Sequence, residues 1–303
     1  MKTLLCLLLL TSYVALAQDS SYKQQELIYG RKDGMALTLI HMQPRAKANK
    51  KAIIKLVSGN WISGTKYLKF YADGTIPLLK RGYTVFLVMH GSQPRYAIPD
   101  QVADVKRATR FIRHNAKKFD IDASKIGITG NSSGGNLSLL VATMDEKLDT
   151  SSVDPIDRVS ARVQAAAVFY PPTDFLNWGK DGASMAANEG MLKLARVSGA
   201  FDFRNYNERE TLYTAVKDSA DRLKIYEEMS PITSVSSDDP PVFIVHGDND
   251  RVVPLQQSQN IIARLNDKKV PNRLVIKKGG GHGWKDQDVE TELFADWFDK
   301  YLK

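Results

Sequence analysis

Apolar runs alternate with helically spaced segments along most of this chain, and that alternation constrains the fold more than any other feature. Residues 52–57, 83–89, 125–129, 163–170, 242–245 and 273–277 read as strands, and residues 100–119, 136–144, 255–265 and 289–302 read as helices. Two earlier strands, 26–30 and 35–42, flank the turn Lys32-Asp33-Gly34. Near-continuous apolar strands separated by helices imply a mainly parallel sheet covered on both faces. In such sheets reactive groups collect beyond the carboxyl ends of the strands, so the residues directly after each apolar run are the informative ones. Residues 175–229 break the rhythm. Asn177, Trp178, Gly179, Gly182 and Gly199 precede a helical stretch around 208–228, and the segment reads as a helical, cap-like insertion.

The residues that follow the strands carry nucleophile chemistry. Gly130-Asn131-Ser132-Ser133-Gly134, followed by Gly135, is a G-x-S-x-G pattern between a strand and a helix. Glycines on both sides of the serine leave room for a very tight turn that lifts one hydroxyl above the sheet. The helix starting there points free N–H groups and its positive dipole end at the site. The pattern selects Ser132 over Ser133, whose own pattern needs glycine where Asn131 stands. The bland reading is a glycine-rich turn whose serine caps the helix. A serine hydroxyl attacks only with a base beside it. Among five histidines, His282 lies in Gly279-Gly280-Gly281-His282-Gly283-Trp284, just after the last strand. His41 is inside a strand and His114 is on the basic helix, while His90 and His246 precede glycines at strand ends and read as shaping turns. The imidazole needs a carboxylate to fix its tautomer and stabilise its cation. The segment His246-Gly247-Asp248-Asn249-Asp250 offers two: Asp250 is the first choice, Asp248 the reserve, and Asp174 a remote third.

These motifs resemble the α/β-hydrolase superfamily, within its esterase/lipase branch, over residues 52–302. The order Ser132, Asp250, His282 is that of the superfamily. The stretches 246–254 and 280–284 look most like acetyl-xylan and feruloyl-type esterases and prolyl-oligopeptidase-related hydrolases. The resemblance implies an α/β-hydrolase fold, a mostly parallel sheet of about eight strands flanked by helices, with no cofactor. Relatives often carry His-Gly-Gly-Gly-Trp after the third strand, where main-chain N–H groups hold the oxyanion. Here the matching stretch is Val57-Ser58-Gly59-Asn60-Trp61. Main-chain donors do not depend on glycine, so an oxyanion hole of Gly59 or Asn60 with Ser133 remains expected. Losing one such donor costs about 3–4 kcal/mol of transition-state stabilisation. Asn60 either donates through its side-chain amide or simply tolerates an unusual backbone angle.

The activity expected is hydrolysis of a carboxylic ester through an acyl-enzyme, on a small-molecule or carbohydrate ester with an acetyl or similar acyl group. One rival is a prolyl-oligopeptidase-like peptidase or amidase, although the roughly thirty residues before the third strand leave no space for a propeller. The other is a silent hydrolase fold used for binding. Trp178, Phe201, Phe203 and Tyr206 either line a pocket or, as preferred here, pack the insertion's own core. No HExxH, phosphate loop or dinucleotide fingerprint is present, so metal and nucleotide chemistry are unsupported. Lys2, the apolar run that follows and Ala15-Leu16-Ala17 read as a signal peptide over 1–17, cleaved after Ala17. Residues 18–303 would then be one secreted or periplasmic hydrolase domain without stable membrane insertion, and without cysteine because Cys6 is removed. The net charge is +8, and its densest cluster (Lys106, Arg107, Arg110, Arg113, Lys117, Lys118) lies on one helix and reads as a solvated face. No aromatic platform accompanies it, so nucleic acid is not an expected partner.

Overall fold

The computed structural model describes residues 21–146, 148–185 and 187–303. The signal-peptide reading of 1–17 lies outside the described residues. An antiparallel pair, β1 (Tyr22–Lys32) and β2 (Met35–Pro44), opens the chain. There follow β3 (Ala52–Leu56), α1 (Leu68–Asp73), α2 (Ile76–Lys80), β4 (Thr84–Val88), α3 (Ile98–His114), β5 (Ile126–Asn131), α4 (Ser133–Thr143) and β6 (Ala165–Phe169). Between β6 and the next sheet strand lie α5 (Glu189–Leu194), a hairpin of β7 (Arg204–Asn207) and β8 (Leu212–Ala215), and α6 (Ser219–Glu228). The chain ends with β9 (Val242–Gly247), α7 (Leu255–Asp267), β10 (Asn272–Lys277) and α8 (Asp288–Tyr301).

Eight strands form one sheet in the order β1-β2-β4-β3-β5-β6-β9-β10. From β4 to β10 every neighbour is parallel, and β2 alone runs against the rest, pairing antiparallel with both β1 and β4. The strands β3, β4 and β6 are buried at every position, which is why they appear in the sequence as unbroken apolar runs. Along β3 the two-residue period sends Ile54 and Leu56 into one core with α3, α4 and α7, and Ile53 into a second core with α1, α2 and α8.

Three local expectations are corrected. The stretch 208–215, expected to be helical, holds the turn and second strand of the β7–β8 hairpin, and helix begins only at Ser219. Helix α3 starts at Ile98 and stops at His114, short of the expected Phe119, because Asn115 ends it and its amide donates to the Phe111 carbonyl at 2.8 Å. Its basic face is not freely solvated. Arg107 pairs with Asp154 (2.6 Å) and Asp157 (2.8 Å), and Arg110 with Glu146 (2.8 Å). Arg113 donates to the carbonyls of Ala123, Ser160 and Arg162. These three arginines therefore clamp the chain leading into β6, while Lys117 and Lys118, beyond the end of α3, are exposed.

Candidate active site

The turn after β5 sets the geometry. Ser132 has φ 53 and ψ −120, a conformation that costs a non-glycine residue about 1–3 kcal/mol and persists only where its surroundings enforce it. Those surroundings are main chain. A Cβ on Gly130 would lie 2.2 Å from the Gly134 carbonyl oxygen, so the strand can turn into α4 this sharply only with glycine there. The Ser132 N–H donates to Phe169 O of β6 at 3.0 Å, and its own carbonyl accepts from Asn136 N at 2.9 Å. The hydroxyl is thereby presented above the carboxyl edge of the sheet.

Two loops at the same edge bring up the other groups. Asn249 N donates to Gly280 O at 2.8 Å, and Gly279 N donates to the Asp248 carboxylate at 2.6 Å. The approach is so close that a Cβ on Gly247 would meet Gly280 O at 2.2 Å. Across this joint His282 Nε2 lies 2.9 Å from Ser132 Oγ, and His282 Nδ1 lies 2.8 Å from Asp250 Oδ2. The Asp250 side chain is fully buried, while that of His282 is 21% exposed. Asp250 Oδ1 accepts from the N–H groups of Val252 (2.8 Å) and Val253 (2.9 Å). Burial works to raise its pKa, but donors on His246, His282 and Val253 outweigh it and hold the carboxyl well below the usual carboxylate range. A carboxylate fixed in this way makes Nδ1 of His282 the donor and leaves Nε2 free to accept the serine proton.

The remaining candidates lie elsewhere or do other work. Asp248 is spent on the Gly279 N–H, so the reserve carboxylate ties two loops together and makes no bond to His282. Asp174 accepts from the N–H groups of Leu176 (3.0 Å) and Asn177 (3.1 Å), closing its own turn. His41 stacks on Phe86 at 4.9 Å, and burial lowers its pKa to about 4. His90 is buried beside the Gly91 carbonyl with its pKa likewise lowered to about 4.

Ser133 opens α4, and its hydroxyl lies 3.0 Å from Ser58 Oγ. Of the other oxyanion candidates, Gly59 is corrected: its N–H donates to Ile62 O at 3.0 Å and is not available. Asn60 has φ 50 and its main-chain N–H has no acceptor among the described residues. Its carbonyl is held by Gln93 Nε2 at 2.6 Å, while its side-chain amide reaches Ala195 O only at the 3.5 Å limit. The loop is braced from below, where Tyr71 donates to Ser58 O at 2.6 Å and the Trp61 indole donates to Asn136 at 3.3 Å.

Two residues gain roles that sequence reasoning did not give them. His246, read as a turn former, is fully buried; its Nε2 donates to Val253 O at 3.0 Å and lies 3.4 Å from Asp250 Oδ2. The ring of Tyr170 sits 4.6 Å from that of His282, and its hydroxyl accepts from Asn131 Nδ2 at 3.2 Å. Tyr170 directly follows β6, which ends at Phe169, whereas from sequence it reads as the last residue of the apolar run and so is passed over. From the insertion, Phe201 and Phe203 are buried, and Phe201 packs edge-on to Trp61 at 5.6 Å, while Tyr206 is exposed beside Tyr213. Trp178 stacks at 6.4 Å from Phe175.

The BD-FAE family model matches residues 39–265. Over 217 residues the chain is 29% identical to a probable carboxylic ester hydrolase, LipM, of Mycobacterium tuberculosis, covering 70% of this chain and 44% of that protein. The chain thus spans less than half the length of this curated relative. Among solved structures, a truncated carbohydrate esterase from gut microbiota superposes with a TM-score of 0.72 at 26% identity, covering 94% of this chain and 98% of that one. An acetyl ester-xyloside bifunctional hydrolase from Caldicellulosiruptor lactoaceticus gives a TM-score of 0.71 at 23% identity, with coverages of 91% and 96%, and shares the fold.

Proposed function

The chain belongs to the BD-FAE family of α/β-hydrolase esterases, and on that premise we propose that it hydrolyses carboxylic esters with Ser132 as nucleophile. One observation carries this reading: the unbroken hydrogen-bond chain from Ser132 Oγ through His282 to the buried Asp250, on three separate strand ends. Ser132 attacks the acyl carbon while His282 Nε2 takes its proton. The imidazolium formed is stabilised by Asp250, which stays ionised. Main-chain N–H groups of Ser133 and Asn60 hold the oxyanion. His282 then protonates the leaving alcohol and later activates the water that releases the acid.

The substrate proposed is a small acyl ester, acetyl or similar, on a carbohydrate or other small alcohol. It draws support from the carbohydrate esterase that is similar over nearly all of both chains. Residues 1–17 are proposed as a cleaved secretory leader, checked by N-terminal sequencing of exported protein. Replacing Ser132 with Ala tests the core of the reading. Turnover of p-nitrophenyl acetate should fall by about 10⁴-fold or more, with the thermal midpoint unchanged. Full activity in that variant would assign the attack to another residue. A proline anilide of matched leaving-group reactivity should be turned over far more slowly than the acetate, and the reverse ranking would favour a peptidase.

A further inference from the structure

Below the Ser132 turn, on the α8 side of the sheet, lies a cavity of about 360 Å³ that the proposed chemistry does not use. Its walls include Tyr71, Phe169 and Trp284, and Lys55 of β3 and Asn131 of β5 also line it. Lys55 is only 6% exposed. Its ammonium has three donors and a single acceptor, Asn131 Oδ1 at 2.6 Å, and no carboxylate lies within ion-pair distance among the described residues. Otherwise it faces the rings of Phe169 (5.8 Å) and Tyr71 (5.9 Å). Thr129, its register partner on β5, is also buried, and its hydroxyl has no hydrogen-bond partner among the described residues. Such groups are costly to bury without acceptors.

We propose that this cavity binds a small organic monocarboxylate, the acid released by ester hydrolysis, with its carboxylate on Lys55 and its apolar body between the aromatic walls. The identity of the acid rests on the hydrolase reading, whereas the carboxylate chemistry rests on the cavity. Asp73, Asp286 and Asp288 at the rim are exposed, Lys69 pairs with Asp73 at 2.8 Å, and Lys285 stands beside them. Water screens these rim charges, and it screens the buried ammonium far less. Burial lowers the pKa of Lys55 to about 7, so an arriving carboxylate restores its charge. The other titratable groups on neighbouring elements are Tyr71, Tyr170 and Glu290; Glu290 is engaged by Lys277 and by the Trp284 indole.

The site is wired to the reaction. Asn131 precedes Ser132, accepts from Lys55, and donates to Tyr170, whose ring lies on His282. A carboxylate that draws Lys55 away disturbs the turn and the imidazole together. Bound acid should therefore lower kcat and leave KM for a neutral ester nearly unchanged.

The test uses acetate and benzoate as probes, followed by ligand-observed NMR on the full chain carrying Ser132→Ala. Both acids should bind, and Lys55→Met in the same background should weaken them at least tenfold. Binding to the Lys55-bearing protein should also weaken progressively above pH 7, whereas a surface lysine would hold it flat to about pH 9. This second measurement decides the matter if Lys55→Met fails to fold. Absence of binding, equal binding by Lys55→Met, or inhibition of the Ser132 protein that is purely competitive overturns the proposal. Binding without any esterase activity would sink the hydrolase reading and leave the site standing; activity without binding would do the opposite.

Discussion

Asp250 accepts three donors, two main-chain N–H groups on Oδ1 and His282 on Oδ2, and the His246 ring lies 3.4 Å from Oδ2. Such a carboxylate is hard to protonate and hard to replace. Asp250→Asn keeps the shape but offers an N–H₂ where Oδ2 accepted, which favours the wrong His282 tautomer. Its kcat on p-nitrophenyl acetate should fall by on the order of 10⁴. The same variant reports on stability. The folded pKa lies below the unfolded value of about 3.9, so the contribution is complete above that pH and is lost as pH falls through the folded value. The thermal midpoint of Asp250→Asn should therefore lie below wild type at pH 7 and converge with it below about pH 4. A constant offset from pH 7 to pH 2 would mean that Asp250 gains nothing from its donors. Asp250 ranks first and Asp248 in reserve on the sequence alone, but Asp248-Asn249-Asp250 does not itself display the physical reason for that ranking. Both follow the same strand, and only the fold turns Asp248 toward Gly279 and Asp250 toward His282.

At the level of elements, the β5–α4 turn was readable because its requirement is local. A sharp strand-to-helix corner with an outward side chain demands glycine where main chains nearly touch, and the spacing of Gly130 and Gly134 around Ser132 records that demand. Gly130→Ala places a methyl 2.2 Å from a carbonyl oxygen that cannot move without unwinding α4. It should lower unfolding stability by about 2–4 kcal/mol and abolish esterase activity, measured by urea titration and turnover on the same sample. Near-normal stability would show that the corner can open. The β7–β8 hairpin was missed for the complementary reason. Glu208, Arg209 and Glu210 favour helix, but they form the turn between two short strands in which Tyr206 and Tyr213 pair at 5.1 Å. That pairing outweighs local propensity and cannot be seen one segment at a time. The arginines of α3 illustrate the same limit, since their partners Asp154, Asp157 and Glu146 lie 36 to 50 residues away.

Across the whole molecule, alternation revealed a parallel sheet but not the crossing that lays β4 between β2 and β3, because strand order is decided by which helices cover which face. The second face depends on the last helix. Phe298 of α8 is fully buried, meets Tyr83 edge-on at 6.3 Å, and lies where a Cβ on Gly127 would come within 2.6 Å of its ring. Gly127 belongs to β5, the strand that leads into Ser132, so the last helix rests on the base of the strand that presents the Ser132 hydroxyl. Removing this ring with Phe298→Ala should cost about 3–5 kcal/mol, a large part of the 5–15 kcal/mol typical of a domain. The question is whether the loss travels up the strand. From Gly127 to Asn131, β5 is fixed to β6 by continuous register, and the corner beyond it is held by the main-chain contacts of Gly130 and Gly134. A void at the base should therefore lower the urea midpoint while leaving kcat/KM within about twofold of wild type, when rates are normalised to sites titrated with a fluorophosphonate. A fall in kcat/KM per titrated site that matches the loss of stability would mean that α8 sets the geometry of the Ser132 turn as well as shielding the sheet beneath it.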